Sequence, residues 1–345
     1  MVTLQILVLP FLVRVRVAQR ENEGGCSRER PPFLGLNSMR NDFKFIELDE
    51  TVSTNTFLAS YEAADPAAVT VVTAEYQTAG RGQTGNSWES ERGKNLLFSI
   101  LVQPSSLPVS HVFLLSEAIA LSIRDVIAYV LRSASGLSPQ PSALSPQPIT
   151  VKWPNDIYVG DSKIAGILIE NTFSGKYVQR SIIGCGVNVN QTAFKFPSLS
   201  TQPSALIPQP SSFSPQPSAS PQAPTPISLR QLLGRDTNRG DILNHILEAF
   251  GQRYASLTSS HISHPSSFIP QPSALSPHPS SLHTDYLSNL YRRTGFHPYR
   301  DAHGLFDAEI IDVEPSGHLL LRDAEGTVRR YAFKEVEYVK NKNFV

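Results

Sequence analysis

The hydrophobic positions of this chain follow two different periods. Short runs rich in β-branched and other apolar residues predict strands at 69–76, 95–102, 149–153, 157–160, 164–171 and 178–190. Apolar residues at helical spacing predict helices over 111–133 and 239–257. Because strands outnumber helices and tight turns join several of them, we predict an α+β fold, with a mixed or antiparallel sheet and flanking helices.

The pattern changes after residue 293. From Thr294 onward, short apolar stretches are divided by the turn sequences Pro-Ser-Gly (315–317) and Ala-Glu-Gly (324–326). Short strands separated by such turns are typical of a small β-barrel. We therefore expect residues 294–345 to form a second, smaller β domain.

Three segments of similar composition, rich in proline, serine and glutamine, interrupt the pattern at 137–148, 201–226 and 264–281. Proline at this density removes backbone donors and fixes φ, so neither a helix nor a sheet can continue. We expect disordered or polyproline II-like insertions on the surface of one ordered body, residues 39–293. The alternative is a ligand for a proline-reading module. Residues 1–38 are predicted to be a disordered or dispensable extension.

The composition narrows the classes of function. Thirty basic and 30 acidic residues give a net charge of zero, so no general attraction to nucleic acid or to an anionic membrane is expected. Cys26 and Cys185 lack metal-type spacing, which argues against a disulfide framework or a zinc site. The apolar run from Leu4 to Val13 is too short for a membrane span and has no basic residue ahead of it. We expect a cytoplasmic protein.

The sequence Gly-Arg-Gly-Gln-Thr-Gly at 80–85 fits the pattern G-x-G-x-x-G. A dinucleotide-binding loop of that pattern opens directly into a helix, whereas the residues that follow here lead into a predicted strand. Glycines also let backbone N–H groups approach an anion, and Arg81 adds positive charge. The alternative is a glycine-rich turn with a solvated arginine.

Two lysines and a polar turn form a second group of candidates. Lys152 opens the sequence Lys-Trp-Pro-Asn-Asp, in which Pro154 should end the strand at a place where ligand-binding loops occur. The alternative is an Asn-Asp turn with Trp153 simply buried. Lys163 precedes an apolar strand that contains Gly166, and it either points into a cleft or is solvated.

Two further polar segments allow both a binding and a structural interpretation. In 184–190, alternation places Val187 and Val189 on one face of a strand and Asn188 on the other, where a ligand or solvent could satisfy its amide. Ser53-Thr54-Asn55 suits a helix N-cap, and helix N-termini also bind anions and amides.

Taken in order, these motifs resemble the biotin protein ligase family, in its form without an N-terminal DNA-binding domain. The resemblance extends from about Phe43 to Val339, between the proline-rich inserts. Its most specific part is Lys-Trp-Pro-Asn-Asp followed by the Lys-x-x-Gly-Ile-Leu-x-Glu pattern that begins at Lys163.

The resemblance implies a catalytic domain similar to class II aminoacyl-tRNA synthetases in residues 39–293 and an SH3-like barrel in 294–345. It implies that biotin and ATP, with Mg²⁺, give biotinyl-5′-AMP, and that biotin then passes to a lysine of a biotin carboxyl carrier domain. A homodimer is compatible with this family.

The resemblance also assigns site residues. The biotin-binding positions are Ser53, Thr54, Asn55, Gln77, Gly80, Arg81, Gly82, Gln83, Lys163 and Gly166. Catalytic charge is assigned to Arg81, Lys152 and Lys163, because a carboxylate that attacks a phosphate brings two anions together. The nucleotide-binding positions are Trp88, Asn155, Asp156 and Asn188, and no metal ligand is assigned.

Three rival interpretations remain. Lipoate ligases share the fold, but we do not expect them to carry the Lys-Trp-Pro-Asn-Asp sequence and the glycine loop in this order. A biotin-responsive DNA-binding regulator would need a helix-turn-helix, and the residues before Phe43 show no pair of amphipathic helices. A non-catalytic biotin-binding module would not need Lys152 or Lys163.

The glycine loop departs from the family pattern at two positions. Many relatives carry arginine at the positions of Gln83 and Asn86, and these amides bring no charge. We predict that Gln83→Arg slows the dissociation of biotinyl-5′-AMP, because a cation would be added beside the phosphate. The off-rate, measured for both proteins, checks this, and equal rates would contradict it.

Overall fold

The computed structural model describes residues 3–8, 11–16, 43–83, 86–134, 147–194, 225–259 and 279–339. Of the three proline-rich inserts, only 147–148, 225–226 and 279–281 fall within these ranges. The prediction that the inserts lack regular structure therefore concerns residues that lie almost wholly outside the described part.

The N-terminal segment contains two strands, β1 (Thr3–Val8) and β2 (Phe11–Arg16), which pair antiparallel. The expectation that 1–38 has no regular structure does not hold for these two strands. Apolar and basic residues alternate from Val13 to Arg16, which is a strand signal. That the segment is dispensable stays a prediction.

A seven-stranded mixed sheet forms the centre of the main body. Its strands are β3 (Phe43–Thr51), β4 (Val69–Gln77), β5 (Leu96–Val102), β6 (Ile149–Lys152), β7 (Asp156–Val159), β8 (Ser162–Ser174) and β9 (Tyr177–Val187). They lie in the order β3-β4-β5-β9-β8-β7-β6, and only β3 and β4 run parallel. This confirms the predicted mixed sheet.

Helices pack around this sheet. They are α1 (Thr54–Ala59), α2 (Leu114–Ala134), α3 (Leu229–Leu233), α4 (Arg239–Ser259) and α5 (Pro279–Ser288). The apolar face of α2, which includes Leu115, Ile119 and Ile123, is fully buried. Each such side chain contributes roughly 1.5–3 kcal/mol by leaving water. The hydrophobic period of α2 therefore determines which face it turns to the core.

The ends of three predicted elements differ in the structure. A 3₁₀ turn over Val109–His111 precedes α2, which begins only at Leu114. Strand β9 ends at Val187, because the next carbonyl, that of Asn188, accepts from the N–H of Leu229 rather than from a strand. Helix α5 begins at Pro279, inside the predicted insert, and proline is well suited to a first helical turn.

The C-terminal residues form a separate five-stranded antiparallel sheet. Its strands are β10 (His297–Asp301), β11 (Gly304–Val313), β12 (Leu319–Asp323), β13 (Val328–Tyr331) and β14 (Glu337–Tyr338), in the order β13-β12-β11-β10-β14. Both predicted turns, 315–317 and 324–326, connect neighbouring strands of this sheet. The predicted short strands and turns at this end are therefore confirmed, and the small antiparallel sheet is consistent with a β domain.

The turn at 315–317 joins this sheet to the main body. Gly317 has a φ of +90°, and its carbonyl accepts a 3.0 Å hydrogen bond from Nε1 of Trp153. A Cβ at Gly317 would lie 2.8 Å from the ring of Phe113, so glycine is required for this close approach. Trp153 itself is buried, as the structural interpretation of its motif predicted. No helix in the described ranges is both long and apolar enough to cross a membrane.

A charged triad also connects the two parts. His283 on α5 places Nδ1 2.8 Å from Oε1 of Glu117 and Nε2 2.9 Å from Oδ1 of Asp312 on β11. The hydrogen bond to Glu117 raises the pKa of His283 from 6.5 to about 9, against the opposing effect of its burial. Burial also raises the pKa of Glu117. An imidazolium held between two carboxyl groups thus joins α2, α5 and the C-terminal sheet.

We predict that this triad makes folding stability dependent on pH. A pKa raised in the folded state gives a contribution that is complete below about pH 6.5 and is lost as the pH rises through about 9. His283→Gln should remove this pH dependence. We expect the triad to change the free energy of unfolding by about 1–2 kcal/mol between pH 6 and 9, a modest amount because His283 is partly solvated. Urea unfolding at pH 6, 7.5 and 9 measures it, with the exposed His303→Gln as the control. An unchanged pH profile in His283→Gln would contradict the prediction.

Candidate active site

The start of α1 forms a buried polar cluster with the end of β4. Gln77 Oε1 accepts from the backbone N–H of Thr54 at 2.8 Å and from its hydroxyl at 3.1 Å. Ser53 occupies the N-cap position, as predicted, but its side chain makes no capping hydrogen bond. A glutamine from the neighbouring strand therefore supplies the acceptor that a cap would otherwise provide.

Two residues that sequence reasoning missed complete this cluster. The hydroxyl of Ser99 on β5 lies 2.6 Å from Thr54 Oγ1 and 2.6 Å from Asn55 Oδ1. Asn55 Nδ2 donates to Glu170 Oε2 at 2.8 Å. Ser99 is fully buried inside an apolar strand, and a hydroxyl at such a position needs partners. A polar residue inside an apolar strand is the only sequence signal that could have identified Ser99.

A strip without side chains crosses strands β8 and β9. Gly166 pairs with Gly186, and Gly184 pairs with Leu168 two residues along, so the three glycines share one face. A Cβ at Gly184 would lie 2.1 Å from Asn55 Oδ1, and one at Gly186 would lie 2.3 Å from the indole of Trp88. We call this feature, formed by Gly166, Gly184 and Gly186, the glycine strip. It is the space into which Asn55 and Trp88 fit.

The glycine-rich loop folds back over this strip. Trp88 N–H donates to the carbonyl of Gly80 at 2.9 Å, and Gly82 N–H donates to Asn86 at 3.0 Å. Thr84 and Gly85 lie outside the described residues. The next regular element is strand β5 and not a helix, which confirms that the loop is not of the dinucleotide-binding type.

Arg81 extends from this loop to β8. Its Nη2 lies 2.7 Å from Glu170 Oε1, while the other carboxylate oxygen of Glu170 accepts from Asn55. Glu170 therefore holds the loop arginine and the helix asparagine at the same time. The residue stands at the end of the Gly-Ile-Leu-x-Glu part of the motif, but no role had been assigned to it.

Lys163 lies at the other end of the strip. Its Nζ is 2.7 Å from Asp156 Oδ1 and 5.6 Å from the centre of the Trp88 ring. The Lys163 side chain is less than one quarter exposed, so the interpretation as a fully solvated lysine is wrong. Trp88 Nε1 is buried and has no hydrogen-bond partner among the described residues.

The two predicted asparagines are bonded to backbone carbonyls. Asn155 Nδ2 donates to the carbonyl of Ile167, and Asn188 Nδ2 donates to that of Ile227 at 3.1 Å. Ile227 in turn donates its N–H to the carbonyl of Lys163 at 2.9 Å. Asn188 is buried, so its alternative as an exposed strand face is wrong. Both residues stabilise the segments around Lys163.

Lys152, which pairs with Asp156 across β6 and β7, contacts two aromatic rings. Its Nζ is 3.3 Å from the Tyr158 hydroxyl and lies over the rings of Tyr158 and Tyr338. The side chains of the motif that begins at Lys152 therefore have different partners. Asp156 binds Lys163, Trp153 donates to the C-terminal sheet, and Lys152 contacts two tyrosines.

Together these groups lie on one face of the sheet, with the hydroxyl and amide groups of the polar cluster and the Arg81–Glu170 pair at one end and the Lys163–Asp156 pair at the other. Arg81 and Lys163 are each paired with one carboxylate, which an anionic ligand could replace or share. Within the described residues, no group of three or more histidines, cysteines and carboxylates is placed to hold a metal. The site is suited to an elongated ligand with a polar head and an anionic centre.

Comparison with known proteins agrees with this geometry. The model of the biotin/lipoate A/B protein ligase family matches residues 48–188. The bifunctional ligase/repressor BirA of Bacillus spizizenii is 29% identical over 187 residues, which are 54% of this chain and 46% of that protein. The biotin–[acetyl-CoA-carboxylase] ligase of Mycobacterium tuberculosis is 33% identical over 174 residues, which are 48% of this chain and 59% of that protein. The chain thus spans about half the length of the curated relatives it matches.

Among solved structures, the biotin protein ligase from Aquifex aeolicus in complex with biotin and ATP has a TM-score of 0.57 and 20% sequence identity. The match covers 86% of this chain and 99% of that one. This likeness establishes the fold: a mixed α+β body with a large sheet, followed by a small β domain.

We predict that Gly186→Ala displaces the Trp88 indole, because the added Cβ would lie 2.3 Å from Trp88 Cε2. The free energy of unfolding should fall by about 1–3 kcal/mol, as for other overpacked sites. In a Trp153→Phe background, Trp88 is the only tryptophan and its fluorescence should shift to longer wavelength. Gly240→Ala is the control and should leave the spectrum unchanged. The same emission with and without Gly186→Ala would show that the indole does not rest on the strip.

Proposed function

Because residues 48–188 match the model of the biotin/lipoate A/B protein ligase family, we propose that this chain is an ATP-dependent biotin protein ligase. It would form biotinyl-5′-AMP and pass biotin to a lysine of a biotin carboxyl carrier domain. The observation that carries this proposal is the order of groups along β8. Lys163 supplies a cation, Gly166 belongs to the glycine strip, and Glu170 binds Asn55 of the polar cluster.

The polar cluster suits the ring end of biotin. A cyclic urea presents two N–H donors and one strong carbonyl acceptor, and all are neutral. Ser53, Thr54, Asn55 and Gln77 offer hydroxyl and amide groups that complement such a head without adding charge. The glycine strip next to them lets Asn55 and Trp88 lie directly on the sheet, so the polar cluster, the Trp88 ring and Lys163 face the ligand from one side of the sheet.

The first step would take place beside Lys163. A carboxylate oxygen of biotin attacks the α-phosphorus of ATP, a new O–P bond forms, and the bond to pyrophosphate breaks. Both reactants are anionic, so Lys163 and Arg81 would reduce their repulsion and stabilise the charge that builds up on the phosphate. No covalent enzyme intermediate is needed, and positioning supplies much of the rate.

The nucleotide would lie at the Lys163 end, among Trp88, Asn155, Asp156 and Asn188. Trp88 offers an aromatic face and a buried N–H donor to the ligand. Asn155 and Asn188 would act mainly by holding the backbone that surrounds Lys163. Magnesium would enter as Mg-ATP, since this ion commonly binds phosphates and one or two carboxylates, and Asp156 is the carboxylate at this place.

The second step transfers the activated group. The amine of the acceptor lysine attacks the acyl carbon of the mixed anhydride, the amide bond forms, and AMP leaves with the electrons of the broken C–O bond. The glycine-rich loop around Arg81 would shield the anhydride from water until the acceptor arrives.

The proposed domain organisation follows the same resemblance. Residues 39–293 would form the catalytic domain, similar to class II aminoacyl-tRNA synthetases, with the proline-rich inserts 137–148, 201–226 and 264–281 on its surface. The five-stranded C-terminal sheet would be an SH3-like barrel within 294–345. A cytoplasmic location and a homodimer stay predictions.

The decisive experiment combines the protein with biotin, Mg-ATP and a biotin carboxyl carrier domain and follows the mass of the acceptor. We expect the acceptor to gain one biotin, and we expect Lys163→Ala to reduce the rate at least 100-fold, because a phosphate-binding cation is lost. Lys176→Ala, an exposed lysine in the β8–β9 turn, is the matched control and should keep full activity.

The same assay separates the alternatives. Pyrophosphate release without a mass gain would support the first step and exclude this acceptor. Biotin binding with neither product would replace the proposal with a non-catalytic biotin-binding module.

A further inference from the structure

A tyrosine of the C-terminal sheet reaches the motif residue Lys152. The Nζ atom of Lys152 lies 5.1 Å from the ring centre of Tyr338 and 5.2 Å from that of Tyr158. It also lies within 3.3 Å of the Tyr158 hydroxyl. A lysine ammonium within about 6 Å of two aromatic ring centres is attracted by both faces. One of these faces comes from β14, close to the C-terminal end of the sequence.

Tyr338 is itself held firmly. Its ring packs edge-on against Tyr299 at 5.1 Å and tilted against Tyr291 at 6.1 Å. Arg292 donates to the carbonyl of Val339 at 2.8 Å, which fixes the backbone directly after Tyr338. A ring fixed on several sides presents a rigid surface, so it can orient the flexible lysine side chain that meets it.

The register of the strands places this contact beside the proposed reaction centre. Lys152 pairs with Asp156 across β6 and β7, and Tyr158 pairs with Lys163 across β7 and β8. Directly paired residues share one face of a sheet, as do residues two apart on a strand. Lys152 and Lys163 therefore lie on the same face, with Tyr158 between them.

Aromatic rings and carboxylates hold a lysine differently. A carboxylate offsets the charge of its ammonium partner, as Asp156 does for Lys163. A tyrosine ring attracts the ammonium through its face, and the ring itself carries no net charge. Burial raises the pKa of Tyr338 and that of Tyr158 well above their ordinary values, so both rings stay neutral at physiological pH.

From this geometry we propose that Tyr338 is a positioning residue that holds Lys152 for the phosphates of ATP. The C-terminal sheet would thereby set the rate of adenylate formation without touching the substrate. The catalytic part of this inference rests on the proposed function, whereas the structural part, that Tyr338 orients Lys152, does not.

The structural part is tested by NMR of protein labelled with ¹³C at the lysine ε-carbon, with the Lys152 signal assigned from Lys152→Arg. Two ring faces should shift this signal upfield. Tyr338→Leu should remove roughly half of the shift, whereas Tyr338→Phe, which keeps the ring, should preserve it. Tyr331→Leu, the same change elsewhere in the sheet, is the control. A Lys152 signal that does not respond to Tyr338→Leu would overturn the inference.

The catalytic part is tested by biotin-dependent pyrophosphate release. We expect Tyr338→Leu to lower kcat/KM for ATP about tenfold, with biotin affinity unchanged and Tyr338→Phe close to wild type. In a Lys152→Met background, Tyr338→Leu should have no further effect, because the residue it positions is already gone.

An equal loss in both backgrounds would mean that Tyr338 acts only through folding, and it would overturn the proposal. Absence of pyrophosphate release from the wild-type protein would instead refute the proposed function, and the NMR result would stand independently of it.

Discussion

The absence of side chains at three facing positions is the constraint on which the site depends. Gly166, Gly184 and Gly186 leave a gap in the layer of side chains that covers the sheet, and that gap admits Asn55 and Trp88. Without it, the start of α1 could not approach β9, and the glycine-rich loop could not fold over the strands. The three missing side chains therefore let the start of a helix and a loop pack directly on a sheet whose central strand β5 is buried throughout.

Each of the two cations at the site is held by one carboxylate. Glu170 binds both Arg81 and Asn55, so the loop and the helix are positioned by one carboxylate. At the other end of the glycine strip, Asp156 binds Lys163. Each cation is thus held in place before a ligand arrives, and an incoming anion meets groups whose orientation has already been set. Catalytic groups that are arranged in advance need less reorganisation during the reaction.

Much of the main body could be predicted from the sequence, because its strands and long helices have strong hydrophobic periods. The strands at 69–76 and 95–102 and the helix at 239–257 lie within two residues of β4, β5 and α4. The motifs also identified most residues that the site brings together. What the sequence did not reveal depends on distant partners: Ser99 resembles any polar residue in a strand, and the neighbours of Lys152 include a tyrosine 186 positions later. The side-chain cap expected of Ser53 failed for the same reason, since Gln77 arrives from another strand.

The hydrogen bond from Trp153 to Gly317 has a consequence for how such a chain can change over evolutionary time. The tryptophan belongs to the most specific motif of the main body, and within the described residues its indole donor is bonded to a turn of the C-terminal sheet. Shortening that turn or exchanging the sheet for an unrelated module would leave a buried donor unpaired and expose the ring of Phe113. The two parts therefore do not behave as interchangeable units. A sequence that retains the motif around Trp153 also has to retain a compatible turn more than 150 residues further on.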